Sequence, residues 1–326
     1  MLVEYNGTPV SLPDFFIVGA PRCGTSTLYS YLLNHPSVFM PIEKEPMFFS
    51  CWKREPIMDA RHPELPLSWA EQEPEGYLAL FHPAQDGQVM GEASTWYLAE
   101  HERVLSNMSL IYGDRLREVK IIITLRNPAV RAWSQYLQKR TERQESMDFE
   151  SAIQPDVIAS RREKNFAPSF DYVGFSEYSP GVGAYLERFD KVFVIIFEEF
   201  FQRVEENIQS VFGFLGVPPG DGRVARRKDN VSGEPRGKFG AAVLDLVYTQ
   251  NTLKSLTKAL LPRRIRAPLK YRIKGAALQR KPFDPDLRRR ILERSRSDIS
   301  ELERLLGRDL SLWHDQDEQK LEGARV

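Results

Sequence analysis

The stretch Phe15-Phe16-Ile17-Val18-Gly19-Ala20-Pro21-Arg22-Cys23-Gly24-Thr25-Ser26 limits the possible folds more than any other in the chain. Four apolar residues that favour extended backbone run into a turn rich in glycine and proline. From Thr25 to Leu33 the apolar residues then recur at helical spacing. That succession is a strand, a tight loop and a helix, and it recurs. Lys120 to Leu125 is too β-branched for a helix, and Pro128 stands where a following helix would begin, with Trp133, Tyr136 and Leu137 on one face. Val192 to Phe197 is a third apolar run. Helical periodicity follows it from Phe200 to Leu215, ended by Gly216 and Pro218-Pro219. Continuous apolar strands alternating with helices imply a parallel sheet covered on both faces. Gln88-Val89-Met90, ahead of Gly91, offers one more short strand.

The expected class is therefore α/β, a P-loop-like three-layer α/β/α arrangement around a central parallel sheet. The expected organisation is one domain over residues 1–326: a core at about 13–218, a C-terminal loop and helical region at about 219–313, and a flexible tail at 314–326. Two irregular stretches, Trp52 to Glu75 and Gln154 to Pro180, read as loops framing a substrate cleft, because loops on a rigid scaffold carry specificity. Asp284 to Leu306 reads as a last amphipathic helix ended at Gly307. No apolar run approaches the ~20 residues of a membrane span. MLVEYNGTPV lacks a basic region followed by an apolar one, so no signal peptide or anchor is expected, and a cytoplasmic location is. Cys23 and Cys51 are too few for a disulfide framework, which suits a reducing compartment. The 45 Lys and Arg against 45 Asp and Glu argue against wholesale nucleic-acid binding.

The glycine loop carries the chemistry. Gly19 and Gly24 have the spacing G-x-x-x-x-G, and backbone N–H groups at a helix start form an anion site whatever the side chains are. Taken alone, the glycines fit a helix-capping turn equally well. Thr25 stands where a nucleotide-triphosphate loop has its lysine, and the second strand ends in Arg126 rather than in an aspartate for Mg²⁺. Both features weigh against a kinase or NTPase. Arg22, Thr25, Ser26 and Thr27 can still hold a 5′-phosphate, Arg22 by bidentate contact.

At this point a resemblance enters. Phe16 to Pro36, FIVGAPRCGTSTLYSYLLNHP, resembles the 5′-phosphosulfate loop of sulfotransferases that use 3′-phosphoadenylyl sulfate (PAPS). Ile123-Thr124-Leu125-Arg126-Asn127-Pro128, with Arg131, Trp133 and Ser134, resembles their 3′-phosphate motif. The resemblance implies that Arg22, Cys23, Gly24, Thr25, Ser26 and Thr27 enclose the 5′ end of the donor and that Arg126 and Ser134 hold its 3′-phosphate. Glu43-Lys44-Glu45-Pro46-Met47-Phe48-Phe49 is similar to a Lys-Glu-Pro-His-Phe-Phe stretch of heparan sulfate and related carbohydrate sulfotransferases, which makes Glu45 the implied general base. Met47 replaces the frequent histidine of that stretch. Arg22 stands for a lysine that stabilises the bridging oxygen, and in Gly91 to Tyr97 Ala93 occupies the place of a second catalytic lysine, for which Lys44 could compensate. Asn230 to Lys238 resembles the loop that closes over the nucleotide, with Arg236, Gly237 and Lys238 near the 3′-phosphate. Phe197-Glu198-Glu199-Phe200 matches a structural position of the family.

The implied reaction is in-line transfer of a sulfuryl group to a hydroxyl acceptor, leaving adenosine 3′,5′-bisphosphate. The implied acceptor is a glycan or glycoconjugate, with a lipid or polyketide alcohol as the alternative. The scheme calls for no metal, and His35, His62, His82, His101 and His314 lack ligand spacing. A non-catalytic nucleotide-binding module is the rival of another class, and only Glu45 argues against it. Lys254 to Lys281 holds ten Lys and Arg and no Asp or Glu. Pro262 and Pro268 break any long amphipathic helix there, so the expectation is a solvated surface rather than membrane contact, with attraction to an acidic acceptor left open.

Overall fold

The computed structural model describes residues 1–5, 7–67, 71–220, 233–248, 275–279 and 281–314. Most of the basic stretch expected at Lys254 to Lys281, and all of the tail beyond His314, lie outside these residues. Strands β1 (Leu2–Tyr5) and β2 (Thr8–Ser11) form an antiparallel hairpin at the start of the chain. Next come β3 (Phe15–Gly19), α1 (Thr25–Leu33), β4 (Val38–Phe39) and α2 (Phe48–Cys51), followed by a second hairpin of β5 (Met58–Asp59) and β6 (His62–Pro66). Helix α3 (Pro74–Ala79), strand β7 (Val89–Ala93) and helix α4 (His101–Tyr112) lead to β8 (Lys120–Leu125) and α5 (Pro128–Thr141). Helices α6 (Phe149–Ala152), α7 (Pro155–Glu163) and α8 (Ser179–Arg188) precede β9 (Lys191–Ile196), α9 (Phe197–Phe200) and α10 (Val204–Leu215).

Five of these strands form the central sheet, in the order β4-β7-β3-β8-β9 with every neighbouring pair parallel. The period of two along β3 divides the core. Phe16 and Val18 pack on one face with Val104, Leu105 and Met108 of α4 and with Val182 and Tyr185 of α8. Phe15 and Ile17 face the other way, against Leu28 and Leu32 of α1 and Ile208, Val211 and Leu215 of α10. The expected α/β/α sandwich is thus observed. A third apolar cluster joins Ala129, Ala132 and Tyr136 of α5 to Phe149, Phe170, Tyr172, Phe283 and Leu287. It backs the wall on which the site is built.

Several expected elements take another form. The helix read from Phe200 to Leu215 is interrupted: Phe197 already opens α9, a 3₁₀ turn covers Phe201–Arg203, and α10 begins at Val204. Gly216 closes it in the left-handed conformation, as its spacing predicts. The single helix read from Asp284 to Leu306 is two, Pro285–Arg294 and Arg296–Leu306. They part at Ser295, whose hydroxyl donates back to the Ile291 carbonyl at 3.0 Å. The irregular stretches are also more ordered than expected. The first holds the β5–β6 hairpin, and the second holds α7 and the 3₁₀ turns Pro168–Phe170 and Gly174–Ser176.

Candidate functional site

The loop after β3 owes its path to two glycines. A Cβ on Gly19 would lie 2.7 Å from the Thr95 carbonyl oxygen. One on Gly24, at φ 85°, would lie 2.3 Å from the Phe201 ring. Only a residue without a side chain fits either place. No side chain caps α1 and no acid stands in its first turn, so the positive end of the helix faces the loop. Arg22 adopts φ 70°, a left-handed conformation that costs a residue with a Cβ roughly 1–2 kcal/mol.

That conformation turns the Arg22 guanidinium toward α5. Its Nε donates to Ser134 Oγ at 2.9 Å and its Nη1 to Gln138 Oε1 at 3.4 Å. Burial, and next the neighbouring Arg126 charge, hold the guanidinium down at about 10. Arg126 leaves the end of β8, stacks over the Phe197 ring at 4.3 Å and donates from Nη1 to the Arg22 carbonyl at 3.3 Å. Arg22 is thereby joined to Arg126 and Ser134, about a hundred positions later in sequence, in one cationic group at the C-terminal ends of β3 and β8, where open α/β sheets bind ligands. Asn127 fixes the geometry of that corner. It caps α5 by accepting from the Val130 N–H at 3.1 Å, its own N–H donates to Glu198 Oε1 at 2.9 Å, and its Nδ2 donates to the Trp313 carbonyl at 2.9 Å. Glu198 is buried and also accepts from Trp313 Nε1, so the Phe197 to Phe200 segment is structural, as expected.

Lys44 and Glu45 reach the same region from the other side. Lys44 Nζ donates to Ser26 Oγ at 2.9 Å and pairs with Glu45 Oε1 at 3.2 Å, which ties the first turn of α1 to the carboxylate. Glu45 and Met47 are both left-handed, at φ 60° and 56°. Alternate backbone N–H groups hold this conformation: Glu45 donates to the Ala93 carbonyl at 3.1 Å, Met47 to Ser94 Oγ at 3.0 Å and Phe49 to the Tyr97 hydroxyl at 3.1 Å. Left-handed residues other than glycine gather at sites whose surroundings over-determine them, and Arg22, Glu45 and Met47 are such a group.

Between the two loops lies a cleft of about 250 Å³. Arg22, Thr25, Ser26 and Glu45 line one end. The polar face of α5, made of Gln135, Gln138, Lys139 and Glu142, lines another side, and Trp96, Leu67 and Phe170 supply apolar surface. Lys139 is buried over the Phe170 ring at 4.4 Å and donates to Gln144 Oε1 at 2.9 Å, and burial lowers its affinity for the proton. The irregular stretches expected to frame the cleft do so through Met58, Ala60, Leu67, Ala167, Ser169 and Phe170.

Not every expected residue comes together. The Cys23 side chain points into the core, its Sγ 3.7 Å from the Pro21 carbonyl, and burial pushes the thiol up to about 12, so only its backbone faces the loop. Thr27 donates its N–H to the Gly24 carbonyl and is not among the lining residues. Arg236 is exposed at the start of the helix Gly237–Tyr248, its N–H bound to the Ala277 carbonyl, and Gly237 has φ 59°. The Lys238 side chain and Asn230 to Ser232 lie outside the described residues. The α5 stripe was not anticipated, although the spacing 135, 138, 139, 142 is that of one helix face. Glu92, buried behind the Glu45 loop, gave no sequence signal at all.

The donor set fits anionic phosphate or sulfate groups: two guanidinium groups, an ammonium, three hydroxyls and an uncapped helix start, on a loop that packs against Phe201 only because Gly24 lacks a side chain. Among the described residues no group of three or more His, Cys, Asp or Glu could hold a metal ion, and no helix is long and apolar enough to cross a membrane.

Comparison with known proteins agrees in kind. A family model described as "Sulfotransferase domain" matches residues 12–235, more than half of the chain. Heparan sulfate glucosamine 3-O-sulfotransferase 3B1 of Homo sapiens is 30% identical over 142 residues, 43% of this chain and 30% of that one. Carbohydrate sulfotransferase 15 of Mus musculus is 27% identical over 177 residues, 44% of this chain and 30% of that one. The matches thus span less than a third of these relatives. A sulfotransferase crystal structure from Alicyclobacillus acidocaldarius superposes with a TM-score of 0.66 at 26% identity, covering 94% of this chain and all of that one.

Proposed function

Because this chain belongs to the sulfotransferase domain family, we propose that it transfers a sulfuryl group from 3′-phosphoadenylyl sulfate to a hydroxyl of a carbohydrate or glycoconjugate, with Glu45 as general base. One observation carries this reading: Glu45 lines the same cleft as Arg22, Thr25 and Ser26, with Lys44 bonded to both Ser26 and Glu45. The donor supplies the sulfuryl group on a phosphate leaving group. Everything else falls to the protein's own residues.

Arg22, Ser26, Thr25 and the amides from Cys23 to Ser26 would hold the 5′ end, and Arg126 with Ser134 the 3′-phosphate. Arg236, Gly237 and Lys238 are proposed to close over the nucleotide. Arg22 is placed to offset negative charge gathering on the leaving phosphate, a preorganised cation in a water-poor corner. Glu45 would take the acceptor proton, and Lys44, bonded to it at 3.2 Å, orients the carboxylate and keeps a positive charge beside the transfer path. The polar α5 face together with the apolar Trp96 and Phe170 in one lining suits a sugar, which offers hydroxyls on its edge and apolar C–H groups on its face. The names of the relatives in the comparison support the same acceptor class.

Calorimetric titration with adenosine 3′,5′-bisphosphate, run beside ATP with Mg²⁺ and repeated on Arg126→Ala, tests the donor assignment. Metal-independent binding of the bisphosphate, weakened at least about tenfold in the variant by loss of a charge-assisted contact, is the expected result. Binding of ATP with Mg²⁺ alone would return the glycine loop to the kinases. Productive turnover on a lipid or polyketide alcohol but on no sugar would correct the acceptor.

A further inference from the structure

Glu92 is the fourth residue of β7, fully buried, and no part of the chemistry proposed above uses it. Its Oε2 receives two phenol donors, Tyr77 at 2.9 Å and Tyr97 at 3.0 Å. A buried carboxylate is costly unless it does something that a cheaper residue cannot. Each of its two partners leads to the segment that carries Glu45. The Tyr97 hydroxyl, while donating to Glu92, accepts the Phe49 N–H, the third of the alternate amides that hold the Glu45 loop. The Tyr77 ring stacks on Phe48 at 4.3 Å with the planes 11° apart. The two residues after Glu92 complete the support, since Ala93 accepts from Glu45 and Ser94 from Met47. Residues 92 to 97 therefore form a rack on which residues 45 to 49 hang, and Glu92 is the acceptor that orients the outer hydroxyl of that rack.

We infer that Glu92 is a positioning residue for the Glu45 loop: by accepting from Tyr97 and Tyr77 it fixes the left-handed backbone that points Glu45 into the cleft. The inference rests on Glu45 being the base, but its first readout does not depend on turnover. Glu92→Leu removes the acceptor and leaves a side chain of similar size. Glu92→Gln keeps one oxygen, sufficient for both phenols because both bond the same atom. In hydrogen exchange, Glu92→Leu should speed exchange of the Glu45, Met47 and Phe49 amides about tenfold or more while leaving the helix Thr25–Leu33 within about twofold of wild type. Glu92→Gln should restore the protection. With a p-nitrophenyl glycoside as the hydroxyl probe, kcat should fall about tenfold in the Leu variant with the KM for the donor nearly unchanged, and recover in the Gln variant.

Should Glu92→Leu not fold, Tyr97→Phe cuts the same link with a smaller change and must loosen the same three amides. Unchanged exchange at those amides in Glu92→Leu or Tyr97→Phe, or a Gln variant as loose as the Leu variant, would overturn the assignment. Failure of wild-type protein to bind the bisphosphate would instead strike the donor reading, which keeps the two failures apart.

Discussion

Much of the candidate site depends on single side chains held in unusual backbone. Glu45→Gln removes the proposed base but keeps the shape of the loop and an oxygen for Lys44. Turnover should fall roughly 10²-fold or more, the usual weight of general base catalysis, while calorimetry finds bisphosphate binding within about twofold of wild type. Turnover that survives the change would dismiss Glu45 as the base. Residues at this scale were unequally legible. Arg22, Arg126 and Glu45 stand in recognisable motifs, whereas Lys139 looks like any helix-surface lysine until Phe170 folds over it from a distant turn. Glu92 is a lone acid in a short strand, and only tertiary burial makes it informative. The direct bond of Arg22 to Ser134 likewise spans 112 positions and has no local signature.

Among the elements, the start of α5 matters most, because Arg126 precedes it and Ser134 lies on it. Asn127 is fully buried and serves as cap, as donor to Trp313 and as partner of Glu198. Asn127→Ala should cost roughly 2–4 kcal/mol, the sum of a lost cap and an unpaired buried carbonyl, read as a lower midpoint in urea denaturation. An effect under about 0.5 kcal/mol would show that the corner does not rely on this side chain. The boundaries of α5 and α1 could be read because Pro128 and Gly24 punctuate them. The break at Ser295 could not, because no glycine or proline marks it and the polar run between Leu292 and Ile299 is as compatible with a continuous helix as with two. Helix α7 was missed for the opposite reason: Ile158 is its one buried residue, so the segment has almost no apolar stripe to read.

For the whole molecule, the buried carboxylate behind the cleft makes stability depend on pH. Burial raises the Glu92 carboxyl from 4.5 to about 7, against the pull of hydrogen bonds from Ser94, Tyr77 and Tyr97. The folded protein therefore holds that proton more tightly than the unfolded chain does. The associated stability is fully present below about pH 4.5 and is lost as pH rises through about 7, a difference on the order of 3 kcal/mol. Glu100 and Glu198 are pushed up in the same sense by burial, so stability should decline across this range from more than one source. Comparing urea midpoints of wild type and Glu92→Gln from about pH 5 to about pH 8 isolates the share of Glu92: the wild type should lose ground to the variant as pH rises, and parallel curves would refute the assignment. The parallel sheet covered on both faces, by contrast, is legible in the continuous apolar runs, whereas the strand order β4-β7-β3-β8-β9 is set by tertiary packing that no single run encodes.

The left-handed backbone at Arg22, Glu45 and Met47 also bears on how such a protein would respond to laboratory selection. At each of these positions glycine would relax the backbone, and asparagine would do so in part. A library screened only for heat resistance would therefore drift toward those residues, enriching the sturdiest variants and the least active ones together. Arginine and glutamate at 22 and 45 carry that local strain, and the tension between resilience and turnover in this chain is concentrated in two short loops that Lys44 ties together at one cleft.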